Sequence, residues 1–475
     1  MTIDNINIDK TLENAEKHLL EDKEMSSATK SLMELLLIII KLLIKRLDLD
    51  SSNSSKPPSQ DPNRPKKAKR GKGNDKGGQK GHEGTTLEKV SEPDETIDLL
   101  VSECDGCYSD LQSKPVEYYE SRQVFEVIIK RHVVEYKSEV KECDICGTVT
   151  TGAFPKGVSK AVQYGNSVKV LSVYVSQGQL IPYKRVEEFF TDQLNIPLSS
   201  GTIYNFNKEA FEKLRAFEEE SKKGLLASPL NYVDETGLNI NGKKAWLHSI
   251  SNETWTLFYP HLLRSKEAIK EMGVLPFYEG ILCHDYYTAY YEYGSSHALC
   301  NSHHLRELER CIEQDKQNWS KLMKELLLEI NEEVIKAGGK LDELVQEEYQ
   351  MQYKTILSNG KEECPLRPKI PGKRGKTAQS KSRNLLERLE RRQEDVLRFM
   401  KVRIVPFTNN LAERDIRMTK VHQKISGCFR SQLGAKIFCR IRSYLSTAKK
   451  NSITFVQALK LLFDGEIPDF NENAC

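Results

Sequence analysis

The sequence has no apolar run long enough to cross a membrane. Its most apolar stretch, Leu35–Ile44, carries Lys41 and falls well short of the ~20 residues that a spanning helix needs. The start, Met1-Thr-Ile-Asp-Asn-Ile-Asn-Ile-Asp-Lys, lacks the basic opening and small-residue cleavage site of a secretory leader. A cytoplasmic, reducing compartment is therefore expected. A large net charge is missing too, at +3 from 71 Lys and Arg against 68 Asp and Glu. Any affinity for a polyanion must then be local. Glycine and proline are absent from 11 to 49, which excludes a turn-rich start and predicts helix. Eleven cysteines do not imply a disulfide scaffold in this setting, where paired cysteines more often hold metal.

What is present is unevenly spread. A chain of 475 residues is too long for one hydrophobic core, so three or four units are expected. The stretch Met33–Leu47 is apolar nearly all round, as in a buried or oligomerising helix. From Ser51 the composition changes to Ser, Pro, Gly and Lys. Between Lys56 and Lys80 nine Lys or Arg stand against two Asp. Such a segment cannot bury enough apolar surface to fold and favours nucleic acid, because each neutralised phosphate releases counterions. Lys66, Lys67, Lys69 and Arg70 form its densest cluster.

Two Cys-x-x-Cys pairs follow, Cys104/Cys107 and Cys143/Cys146. Each resembles a knuckle whose two thiolates reach one ion, and two knuckles complete the tetrahedral set of a structural Zn2+ site. Alternating residues over Tyr118–Tyr136 predict a strand pair between them. A redox role is the other reading of such pairs. After Lys156 the pattern turns helical, over Ser167–Gln177, Pro182–Gln193 and a third helix opened by Leu198-Ser-Ser-Gly, with Ser199 or Ser200 as N-cap. That order fits a helix-turn-helix, and equally a small helical subdomain.

From Leu230 strand signals dominate. Leu230–Asp234 and Gly237–Ile240 read as one bent strand, and Asn241-Gly marks a hairpin. Ala245–Ile250 and Thr254–Tyr259 supply two more strands, Gly280–Asp285 a fourth and His297–Asn301 a fifth, with helices at Arg264–Met272 and from His303. This is the element order of a ribonuclease H-like α/β domain. Residues 311–400 read as a helical insertion broken at Pro365–Lys376.

Asp234 and Asp285 each end a short apolar run, while Glu413 lies in the first turn of a predicted helix. Carboxylates from three such elements can bind a pair of Mg2+ or Mn2+ ions, which stabilise both oxygens of a phosphoryl displacement. Bland readings stay open. The aspartates are also good turn residues, Asn410-Leu-Ala-Glu413 fits a capping box, and Glu235, Glu307 and Asp415 compete. Cys300-x-x-His303 offers another metal pair or a buried cysteine with a hydrogen-bonded histidine. His284 fits either a substrate-orienting or a core role. Arg414, Arg417 and Lys420, followed by His422, Lys424 and Arg430, would line a phosphate-binding face or a solvated one.

These motifs occur in a fixed order: Asn53-Ser-Ser-Lys-Pro-Pro-Ser, Gly77-Gly-Gln-Lys-Gly-His-Glu-Gly, the two Cys-x-x-Cys pairs, Asp234-Glu-Thr, Cys300-x-x-His-x-x-Arg306, and Asn409-Asn-Leu-Ala-Glu-Arg-Asp-Ile-Arg. In that order the chain resembles transposases of the insertion sequence 66 family, from about Leu32 to Leu462. A lysine replaces the family's usual proline in Gly-Gln-Lys-Gly. The resemblance implies a multidomain α+β protein: a helical, oligomerising segment over 1–50, a basic linker over 51–95, a zinc-binding domain over 96–155 and a helix-turn-helix-like region over 156–225. A ribonuclease H-like catalytic domain would occupy 226–310 and 401–475, split by the helical insertion over 311–400. It further implies that Asp234, Asp285 and Glu413 are the catalytic acids of a DNA transposase. Such an enzyme cleaves at terminal inverted repeats and joins the ends to target DNA, as a homo-oligomer with or without accessory proteins of its element. The alternatives are a ribonuclease H-like nuclease and a catalytically decayed DNA-binding protein.

Overall fold

The computed structural model describes residues 2–3, 6–22, 25–47, 87–368 and 377–470. Lys66, Lys67, Lys69 and Arg70 lie outside the described residues. A two-residue pairing of β1 (Thr2–Ile3) with β2 (Ile6–Asn7) leads into α1 (Ile8–Glu21) and α2 (Ser27–Leu47). The expected single helix is thus two. Ser26 breaks it, because its hydroxyl accepts the Thr29 N–H at 3.2 Å and caps a new helix instead of continuing the old one. A Lys41–Glu16 ion pair joins α1 to α2 at 2.5 Å. Leu32, Leu35, Leu36, Ile38, Ile39, Leu42 and Leu43 remain exposed.

Between Pro115 and Glu139 the chain forms neither helix nor strand, and the strand pair expected over Tyr118–Tyr136 does not form. Alternation alone supplies no ladder partner, and Val124, Val127 and Ile128 stay exposed. The only strands nearby are β3 (Val140–Glu142) and β4 (Val149–Thr151), a hairpin around the second cysteine pair.

From Asn166 onward the chain builds two helical layers around a sheet. Helices α3 (Asn166–Val173, extended by a π turn to Gly178), α4 (Tyr183–Leu194), α5 (Ser200–Lys213) and α6 (Arg215–Leu226) come first. Ser199 caps α5 by accepting the Thr202 N–H at 3.2 Å. The strands follow: β5 (Leu230–Ile240), β6 (Lys243–Ser251) and β7 (Thr256–His261), then α7 (Lys266–Met272), β8 (Ile281–His284) and β9 (Ser296–Leu299). Asn241 and Gly242 both take positive φ, 49° and 76°, the backbone that a two-residue hairpin between right-twisted strands requires. Helices α8 (Asn301–Asp315), α9 (Asn318–Lys336), α10 (Glu343–Glu363), α11 (Lys381–Arg391) and α12 (Gln393–Lys401) follow as a second helical group. Helices α13 (Asn410–Ser426), α14 (Gln432–Lys450) and α15 (Phe455–Asp464) return to the sheet.

The sheet has the order β7-β6-β5-β8-β9. The β5–β6–β7 meander is antiparallel, while β8 and β9 run parallel to β5. The central strands are buried on both faces, and successive side chains point to opposite sides of the sheet. Val233 and Leu282 point into a core shared with α3–α6, α14 and α15. Tyr232 and Cys283 point into the opposite core, built from α8–α12. Helices α3–α5 therefore share one core with the sheet. The result is an α+β architecture with a mixed five-stranded sheet between two helical layers.

Candidate active site

The two aspartates meet because their strands are parallel neighbours. Tyr232 pairs with Cys283 across β5 and β8, so two further residues along each strand bring Asp234 beside Asp285. Asp285 follows the last residue of β8, and its carboxylate accepts the Tyr287 N–H at 3.2 Å. Tyr286 between them takes φ 83°, a rare backbone state for a bulky residue. Asp234 lies within the one strand expected over Leu230–Ile240: β5 continues past it to Ile240, held by β6, and Asp234 pairs with Ser249. Its carboxylate accepts the N–H of Glu235 at 2.8 Å.

Glu413 arrives from α13. The helix cap is Asn409, not Asn410, so Glu413 stands one residue beyond the position a capping box needs and its carboxylate is left free of that role. Asn409 does not use its side chain as a cap either. Instead its Nδ2 donates to the Val233 carbonyl at 2.9 Å, and its backbone N–H donates to Cys300 Sγ at 3.2 Å. The start of α13 is thereby tied to the residue preceding Asp234 and to the N-terminus of α8. Further along, Lys420 Nζ and Gln423 Nε2 donate to the Gly237 carbonyl at 2.9 and 3.2 Å.

The electrostatics follow from this convergence. Burial first, then the charges of Glu235, Asp285 and Glu413, hold the Asp234 carboxyl well above the usual carboxylate range. Like charges gathered in a buried site favour the protonated form. Glu413 Oε1 is buried without a hydrogen-bond partner, as is Asn409 Oδ1. His303 Nδ1 and Arg306 Nη2 flank Glu413 Oε1 at 3.9 and 4.0 Å.

The competing acids are engaged elsewhere. Glu235 is buried against Arg264 and accepts the Tyr290 hydroxyl at 2.6 Å. Arg264 itself lies between the rings of Tyr287 and Trp246, 4.1 and 5.2 Å from their centroids. Asp415 pairs with Lys450 at 2.8 Å, and Glu307 faces Arg388. His284 is a core residue. It contacts His297 at 3.3 Å and packs edge-on against Tyr290 and Tyr291, with burial lowering its pKa to about 3. Sequence reasoning missed the Asn409 tie and the Arg264 clamp. Both depend on partners far along the chain.

Of the basic residues after Glu413, Arg414 and Arg417 are exposed, whereas the Lys420 amine is occupied by Gly237. His422 stacks on Phe429 at 4.6 Å. At the cysteine pairs, each chain segment forms the same turn. Cys104 N–H donates to the Ser109 carbonyl at 3.0 Å and Tyr108 N–H to the Cys104 carbonyl at 2.8 Å, and Cys143, Gly147 and Thr148 repeat both distances. Tyr108 and Gly147 take matching φ of 59° and 68°. Hydrogen bonds from Ser109 and Thr148 pull the Cys107 and Cys146 thiols below the usual value. The turns stand apart: among the described residues the only trio of candidate ligands within 4.8 Å of one another is Cys300, His303 and Glu413.

No helix among the described residues is long and apolar enough to cross a membrane. Residues 8–88 match a family of unknown function, DUF6444. No curated protein matches the chain. Residues 161–437, more than half of the chain, match the model of the transposase IS66 family, a span that holds the sheet, Asp234, Asp285 and Glu413. The chain therefore belongs to the IS66 family of DDE transposases, and DNA transposition is its activity.

Proposed function

We propose that Asp234, Asp285 and Glu413 are the catalytic acids, on a ribonuclease H-like sheet, and that they bind Mg2+ or Mn2+. The observation that carries this reading is the convergence of buried acids itself, in which Asp234 is pushed toward its protonated form by burial and by neighbouring acids. The donor set is all oxygen, as a hard cation requires, and the orphaned Glu413 Oε1 is a ligand atom without a partner. Bound there, the ions would activate the attacking water or 3′-hydroxyl and stabilise the leaving oxygen. The residues themselves supply the frame. Asn409 fixes Glu413 relative to Asp234, and Glu235 holds Arg264 at the rim of the site. The exposed Arg414 and Arg417 would take DNA phosphates, with Lys66, Lys67, Lys69 and Arg70 contributing from the basic segment.

The matching turns at Cys104/Cys107 and Cys143/Cys146 support a structural Zn2+, which would draw the two turns together. Helices α4 and α5, with the exposed residues of α5, are the candidate helix-turn-helix for terminal repeats. The exposed apolar face of α2 supports self-association. The decisive experiment is Mg2+-dependent cleavage of a duplex ending in the element's terminal repeat, comparing wild type with Asp285→Ala. Loss of cleavage with retained DNA binding supports the assignment; equal cleavage by both overturns it.

A further inference from the structure

The Cys300-x-x-His303 motif is not absorbed by the catalytic reading, yet it touches it. Cys300 occupies the N-cap position of α8 without a side-chain capping bond, His303 sits on the first turn of that helix, and Glu413 reaches them from α13. Their ligand atoms lie within 4.8 Å of one another. His303 Nδ1 and Glu413 Oε1 are both buried and both lack a hydrogen-bond partner. They stand 3.9 Å apart, too far for a hydrogen bond. Two ligands on one tetrahedral ion sit about 3.3–3.8 Å apart, given metal–ligand bonds of about 2.0–2.3 Å. At 3.9 Å the pair stands just outside that spacing, and a small closure would bring both atoms and the sulfur onto one ion.

The sulfur lies in reach of the same point. Cys300 Sγ accepts the Asn409 N–H at 3.2 Å, while burial and the nearby Glu413 charge hold the thiol above its usual value, so an ion would have to displace its proton. A buried thiolate needs N–H donors or a metal. Arg306, 4.0 Å from Glu413, opposes a cation, but a thiolate and a carboxylate outweigh one guanidinium. A sulfur, nitrogen and oxygen donor set selects a thiophilic, borderline-soft ion such as Zn2+ over Mg2+.

We infer that Cys300, His303 and Glu413 form a binding site for a thiophilic divalent cation of the Zn2+ class, and that an ion there withdraws Glu413 from the catalytic pair. The binding half stands on the trio alone; the competition half rests on the catalytic role proposed above for Glu413. The two sites compete because both draw on the one Glu413 carboxylate. Zinc would then silence the enzyme without unfolding it.

Co2+ titration of the full-length protein tests the site directly, through thiolate-to-Co2+ charge-transfer absorption. The difference between wild type and Cys300→Ser cancels the knuckle cysteines, which both proteins retain. The expected result is a wild-type band absent from Cys300→Ser, with Co2+ affinity lowered at least tenfold by Glu413→Gln and unaltered by Asp234→Asn. His303→Ala, checked for folding by circular dichroism, replaces Cys300→Ser if the latter does not fold, and must also lower affinity at least tenfold. Identical spectra for wild type and these variants overturn the site. Equal weakening by Asp234→Asn and Glu413→Gln also overturns it, since the ion would then belong to the catalytic pair. Zn2+ added to Mg2+-supported cleavage must inhibit wild type at least tenfold more strongly than Cys300→Ser or His303→Ala, each relative to its own zinc-free rate. Equal inhibition overturns the competition even where the band is present.

Discussion

Replacing Asn409 with alanine removes one buried hydrogen bond and leaves the Val233 carbonyl without the donor it has at 2.9 Å. An orphaned buried acceptor costs about 1–3 kcal/mol. Asn409 Oδ1 has no partner in the native fold, so its removal offsets part of that, and a net loss of about 1–2 kcal/mol is expected. For a domain of this size the midpoint of thermal unfolding then falls by roughly 2–8 °C. At 25 °C such a protein remains folded. Its activity should fall much further, because Asn409 is the tie between the strand of Asp234 and the helix of Glu413. A misplacement of about 1 Å at a catalytic group can cost about a hundredfold. Cleavage of a terminal-repeat duplex by Asn409→Ala is therefore expected to drop about a hundredfold, with DNA binding retained. Asn409→Asp keeps the shape but cannot donate, and adds charge beside Glu413, so it should be worse. Cleavage within threefold of wild type, alongside the lowered midpoint, would refute the argument that this side chain positions Glu413.

Three further outcomes follow from the same geometry. Asp234→Asn should abolish cleavage yet raise the unfolding midpoint in metal-free buffer near neutral pH. The native carboxyl is held above its unfolded value by burial and neighbouring acids, so wild type loses stability as pH rises through that range and the variant does not. The gap should therefore shrink toward acid and on adding Mg2+, and a midpoint difference independent of pH, by calorimetry, counts against the clustered charge. Gly224→Ala normally stabilises a helix, but here the added Cβ would lie 2.3 Å from Trp255 Nε1. Trp255 packs against Phe217 and Phe470, so denaturant titration should show a loss of about 1–3 kcal/mol where an open site would show a gain. Cys143→Ser should cost one equivalent of zinc by elemental analysis without lowering the midpoint of the sheet domain, and an unchanged metal content would dismiss the paired-knuckle site.

Much of the fold was legible because local chemistry and tertiary packing agree. The Asn241-Gly turn has the backbone its residues prefer, the apolar runs at Leu230 and Ile281 became β5 and β8, and Ser199 caps α5. Legibility failed where a residue's role is set by distant partners. Sequence places Glu235, Glu307 and Asp415 on equal terms with the triad. Only in the fold do Arg264, Arg388 and Lys450 neutralise them. The alternation over Tyr118–Tyr136 promised strands, but a strand needs a neighbour, and the chain supplies none there.

Asp234, Asp285 and Glu413 show where the division falls. By itself the sequence determined the residue types, the two short apolar strand runs and a helix start near Asn409-Asn, because these depend on composition and short-range pattern. Whether Glu413 capped its own helix or faced the aspartates was decided by tertiary structure. Asn409 took the cap position, gave its side chain to the Val233 carbonyl, and so shifted Glu413 beyond the reach of a capping box. That choice is a hydrogen bond between residues 176 apart in sequence, and no local pattern encodes a partner at that distance.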